Sequence, residues 1–206
     1  MMTWLFKPFE RVAGGPALVA GLGVIVLAAL LAWQSGLHTR GVIDLHFGPR
    51  LGLWVLVMQG LINWLTLSLL LFGVGRWLSH GRFRALDLFA TQALARWPLL
   101  IGAVWLSIPG VGAAIESRTA TLMAQMPDQP GQVIAPIEHM FDAMWLLLLS
   151  LPGLAAIGWM VWLMFHGYAL VTNLRGTRVF FSFAAALVAA IILSKGLIHL
   201  LLRAAT

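Results

Sequence analysis

Glu138, His139 and Asp142 stand together in "PIEHMFD", the densest group of possible proton or metal ligands in the chain. On a helix Glu138 and Asp142 share a face and His139 lies one turn from Asp142, so three donors suited to a hard cation could converge. The spacing matches no established ligand pattern. The expectation is therefore an acidic, water-facing helix entry and no metal site. His38 and His46, upstream, are still more isolated as ligands.

A second group is basic. Lys195, His199 and Arg203 follow one another at four-residue steps in a strongly apolar stretch, which makes one stripe on a helix. An ionisable side chain inside a membrane span is a functional candidate, yet a lysine stem can carry its charge to the interface. Snorkelling is the expected role of Lys195, and a salt bridge to Glu116, Glu138 or Asp142 is the sharper alternative.

Neutral polar groups form a third set. Gln59, Asn63 and Thr66 recur at i, i+4 and i+7. Such a stripe bonds neighbouring helices at about 0.6 kcal/mol per contact, or else lines a polar path. Two near-identical tetrapeptides add helix breakers: Ser107, Ile108, Pro109 and Gly110, then Ser150, Leu151, Pro152 and Gly153. Each proline removes a helical N–H, and each glycine lets another backbone approach. Breaks paired at similar depth point to transporter sites, whereas prolines and glycines that only shape a bundle are common in membrane helices.

No enzyme signature appears. The chain has no H-E-x-x-H, no G-x-S-x-G and no glycine-rich phosphate loop. With no cysteine, it has no thiolate nucleophile and no cysteine metal site. No catalytic residue, cofactor or metal is expected.

The elements that carry these groups follow from composition. Of 206 residues, 61% are hydrophobic and 10% charged, against about 25% charged in soluble domains. Five stretches, 17–33, 51–73, 97–115, 144–166 and 179–202, approach the roughly 20 apolar residues that cross a bilayer. Backbone groups in lipid must pair within the segment, so these stretches predict helices. The fold class is all-α, one polytopic bundle of five transmembrane helices over residues 1–206. The first apolar run is long and lacks an A-x-A cleavage pattern, so it reads as a retained span.

Orientation follows the basic residues. An internal N-terminus places Lys7, Arg11, Arg76, Arg82, Arg84, Arg96, Arg175 and Arg178 inside, against Arg40, Arg50, Arg118 and Arg203 outside. The C-terminus is then external. The net charge of +6 is explained by this asymmetry and an anionic inner leaflet, without nucleic acid. Between spans two and three, Phe83, Leu86, Phe89, Ala93, Leu94 and Trp97 recur at helical spacing. Arg82, Arg84, Asp87, Gln92 and Arg96 fall on other faces, which predicts an amphipathic cytoplasmic helix resting on lipid. The outer segment from Glu116 to Asp142 contains "MPDQPGQVIAP" and reads as irregular chain.

Several of these stretches are familiar. The lead ending "FERV", the loop "GRWLSHGRFRALDLFATQALARWP" and the segment "WLMFHGYALVTNLRGTRVFFSFAAAL" resemble the Yip family of five-span membrane proteins, at Gly81, Phe83, Arg84, Leu88, Pro98, Trp162, Gly167, Thr172 and Arg178. The resemblance implies a non-enzymatic integral membrane protein. Eukaryotic members engage Rab-type GTPases through a cytosolic N-terminal region. The short lead before the first span here argues against GTPase binding. The compact form is most similar to short bacterial members, which implies the inner membrane.

Two functions are thus expected. The first is a Yip-type protein in which Arg82, Arg84, Arg175 and Arg178 meet anionic lipids or other membrane proteins. The second is a small transporter or channel component, in an oligomer, with a site at Ser107, Pro109, Gly110, Ser150, Pro152 and Gly153, aided by Gln59, Asn63 or Lys195.

Overall fold

The computed structural model describes residues 9, 14–47, 51–79, 83–108, 110–124 and 136–205, with the backbone alone described at 40, 45–47, 124, 136–139 and 205. The order is α1 (Gly14–Ser35), β1 (Leu37–Gly41), β2 (Asp44–Phe47), α2 (Leu53–Leu78), α3 (Ala85–Leu94), α4 (Pro98–Ser107), α5 (Val111–Ala124), α6 (Pro136–Thr172) and α7 (Thr177–Ala205). The chain is mostly helical, as its composition requires.

Among the described residues, four helical segments are long and apolar enough to cross a membrane: Gly14–Ser35, Leu53–Leu78, Met140–Thr172 and Thr177–Ala204. A fifth crossing arises only if Ala85–Ser107 and Val111–Met123, bent by 79° to one another, count as one span. The expected third span at 97–115 therefore contains the bend. Gly110 has φ +93°, a conformation that a Cβ opposes, and α4 stops at Ser107 before it.

One end of the bundle gathers the start of α1, the end of α2, the start of α3 and the α6–α7 turn. Ser79 Oγ donates to the Thr172 carbonyl oxygen there, over 3.1 Å. The opposite end carries the strand pair. Leu37 packs in a cluster with Leu56, Leu106 and Ile115.

A helix does stand between spans two and three, as α3, but its environment differs from the expectation. Leu88, Ala90, Thr91, Gln92 and Ala93 are all buried, while Leu86 is exposed. Gly21 of α1 explains the fit. A Cβ there would lie 2.5 Å from Ala93 Cβ and 2.6 Å from the Leu94 nitrogen, so only glycine admits this approach. Trp64 Nε1 donates to the Phe89 carbonyl at 3.0 Å, and Gln92 Nε2 donates to the Met164 carbonyl at 3.0 Å. Gln92 and Arg96, placed by sequence on the polar face, point into protein.

The hairpin is the other departure. β1 and β2 are antiparallel, with His38 opposite His46 and Gly41 opposite Asp44. Its turn sinks into the bundle. Val42 belongs to the same buried cluster as Leu67, Met164 and Ala190, and Asn63 Nδ2 lies 3.4 Å from Thr39 Oγ1 as donor. Asn63 is ten residues into α2, about 15 Å along its axis at 1.5 Å per residue. Non-helical backbone at such depth must be covered by protein or line a wet cavity.

Candidate functional site

Three regions collect the polar groups singled out by sequence. The first is the end of the bundle at the α6–α7 turn, where Arg84, Arg175 and Arg178 are exposed together with Arg76. Arg84 flanks the start of α3, which leaves its side chain clear of the buried face. Beside Arg178, a groove of about 520 Å³ runs between α2 and α7, lined by Trp77, Leu78, Thr177, Phe181 and Ser182. Trp77 is 83% exposed. A cation next to an outward indole and phenyl ring suits a lipid headgroup and its acyl shoulder. Arg82 lies outside the described residues, as do Trp4, Lys7 and Gly81.

The second region holds the two Ser-x-Pro-Gly motifs, which diverge. Pro109 is outside the described residues, but a helix ends before it and another begins after Gly110. Pro152, by contrast, lies inside the continuous 37-residue helix α6. The expectation of two equivalent breaks is therefore revised. The helices that carry them nonetheless pack together, because a Cβ on Gly102 of α4 would stand 3.5 Å from Gly153 Cα. A mainly apolar groove of about 590 Å³ adjoins the second motif, with Ser150, Gly153, Leu106, Glu116 and Thr119 in its lining. Ser107 turns its hydroxyl back onto the Ala103 carbonyl at 2.7 Å, which satisfies it within its own helix.

The third region is the interior beneath the hairpin. Gln59, Asn63 and Thr66 are all buried, so the stripe faces protein. Asn63 reaches Thr39, whereas both amide atoms of Gln59 and Oδ1 of Asn63 lack a partner among the described residues. Arg96, assigned by sequence to the inner flank, is 4% exposed. Its Nε and Nη2 have no partner among the described residues either. Nothing in the sequence pattern marked this arginine, since its position before Trp97 and Pro98 reads as an interface anchor.

The remaining candidates either form ion pairs or lie outside the described side chains. Lys195 Nζ lies 3.1 Å from Asp44 Oδ2, so its partner is on the hairpin and is none of the three acids expected. Asp142 pairs with Arg118 instead. The side chains of Glu138, His139 and His46 lie outside the described residues. No cluster of three metal-ligating residues occurs among the described residues.

No protein-family model, curated protein or solved structure matches the chain.

Proposed function

We propose that this chain is a five-span, non-enzymatic membrane protein of Yip type, with its N-terminus and the start of α3 at the cytoplasmic side of a bacterial inner membrane. It acts by holding anionic lipids, and through them or directly, neighbouring membrane proteins. The observation that carries the reading is the exposed set Arg84, Arg175 and Arg178 at one end of the bundle, beside the groove lined by Trp77 and Phe181. A basic residue close to an anionic leaflet gains about 1 kcal/mol, so several at one end select anionic over zwitterionic lipid. The resemblance of 81–98 and 162–178 to the family supports the same assignment.

The test is lipid retention. The full chain and a variant carrying Arg84→Gln, Arg175→Gln and Arg178→Gln are extracted in mild detergent, and bound lipid is quantified by mass spectrometry. Loss of most anionic lipid with unchanged zwitterionic lipid is expected. Equal lipid profiles and equal co-purifying proteins would overturn the reading.

The groove at Ser150 and Gly153 favours a second reading, a transport component whose path runs between α4, α5 and α6. Its accessibility to water decides that reading.

A further inference from the structure

Arg96 occupies the three-residue turn between α3 and α4. Its backbone N–H donates to the Ala93 carbonyl and its own carbonyl accepts from Leu99, so the position is fixed from both sides. Pro98 begins α4 two residues on, after Trp97. The side chain enters a cavity of about 60 Å³ between α1, α2 and the hairpin. Asn63 and Thr39 share the lining, and Ile25, Ala29, Leu56 and Gly60 complete it with apolar surface.

A guanidinium does not shed its proton in a protein, and burying it unpaired is among the most expensive arrangements a chain can adopt. The described carboxylates offer no relief. Asp44 is held by Lys195 and Asp142 by Arg118. No carboxylate stands within ion-pair distance of Arg96 among the described residues. Donors remain on three side chains: Nε and Nη2 of Arg96 have no partner among the described residues, the Thr39 hydroxyl accepts from Asn63 and keeps its own hydrogen to give, and Asn63 Nδ2 keeps a second hydrogen, while Oδ1 of Asn63 is an unpaired acceptor among the described residues. Gln59 lies one turn from Asn63 on the same face, and its amide has no partner among the described residues.

We propose that this cavity is a binding site for one small monovalent anion, held by Arg96 with Thr39 and Asn63 beneath the hairpin. Charge selects the valence, since a single negative charge neutralises one guanidinium whereas a doubly charged ion leaves an unpaired charge in the interior. Size selects the class. The cavity exceeds the roughly 10–15 Å³ that one water requires but holds only a few such volumes, which suits a halide, nitrate or formate and excludes a phospholipid headgroup. The anion also links the elements it touches. It ties the turn before α4 to α2 and to the hairpin, and so holds the non-helical segment in the bundle. This inference is independent of the basic end and of the groove at Ser150.

The test uses the full chain in neutral detergent, prepared in gluconate, which is too large for the cavity. Chloride, nitrate and formate are each titrated at constant ionic strength, and the melting temperature is read. A saturable rise with at least one small anion is expected in the unmodified protein and in Arg84→Gln, and its loss in Arg96→Gln. Chloride or nitrate as the stronger ligand assigns an inorganic ion, and formate assigns the carboxylate of a small solute. Asn63→Leu, which keeps Arg96, should raise the midpoint concentration by about tenfold, the factor expected for one lost hydrogen bond. That variant carries the test should Arg96→Gln fail to fold. A melting temperature that ignores all three anions, follows gluconate equally, persists in its response without Arg96, or keeps its midpoint in Asn63→Leu overturns the site and leaves ordered water as the occupant.

Discussion

Asp44 on the hairpin and Lys195 on α7 form an ion pair of 3.1 Å whose lysine lies ten residues before the end of its helix. That spacing corresponds to about 15 Å of helix, so the pair sits where the hairpin turn enters the bundle. Both side chains keep part of their surface exposed. A partly exposed pair contributes about 0.2–1 kcal/mol. Asp44→Lys alone should destabilise by more than that, because it sets two cations together, and the added exchange Lys195→Asp should recover most of the loss. Urea or thermal unfolding of the two variants checks this. Effects that simply add would show that the charges do not meet.

Gly21 sets how closely α1 and α3 approach. Since a Cβ would meet both the side chain of Ala93 and backbone of α3 within 2.6 Å, relief requires moving a helix. Overpacking of this kind costs about 1–3 kcal/mol. Gly21→Val should lower the melting temperature clearly, whereas Gly23→Val, where nothing lies within 4 Å of the added carbon, should leave it nearly unchanged. Equal behaviour of the two would mean that α3 does not pack against α1.

The two proline motifs make opposite predictions. Gly110 holds φ +93°, so Gly110→Ala places a side chain in a strained conformation and should cost about 1 kcal/mol. Pro152 sits within an unbroken helix, where alanine restores one N–H and removes a steric conflict. Pro152→Ala should be neutral or stabilising. Thermal unfolding in matched detergent distinguishes them, and a larger loss at Pro152 than at Gly110 would contradict the asymmetry.

Much of this was legible from sequence where a physical rule acts locally. Apolar length marked the helices at 17–33, 51–73, 144–166 and 179–202, because lipid forces backbone pairing within a segment. Six tryptophans flank the apolar stretches and are expected at interfaces: Trp33, Trp54, Trp77 and Trp145 are exposed, Trp97 is half-buried against Trp159, and Trp4 lies outside the described residues. The hairpin was not legible. Its two-residue connection is Val42 and Ile43, neither with positive φ, so the asparagine or glycine that marks a tight hairpin is absent. Alternation in "IDLHF" was the one available signal. Arg96 was missed for a different reason: its burial depends on α1 and α2 closing around the turn before Pro98, which no local pattern records. The same holds for Gln92, whose partner Met164 is 72 residues away.

Water at the Ser150 groove separates the two functional readings. Because the chain has no cysteine, single replacements report cleanly with a small membrane-impermeant thiol reagent. Ser150 lines the groove, whereas Ser107 is half-buried and does not line it. Under the transport reading, Ser150→Cys reacts at a rate close to that of Ser117→Cys on exposed α5, and Ser107→Cys reacts more slowly. Ser194, fully buried on α7, supplies the silent control as Ser194→Cys. Should Ser150→Cys be as silent as that control, lipid or protein fills the groove. The transport reading then fails, and the arginines at the other end of the bundle carry the function.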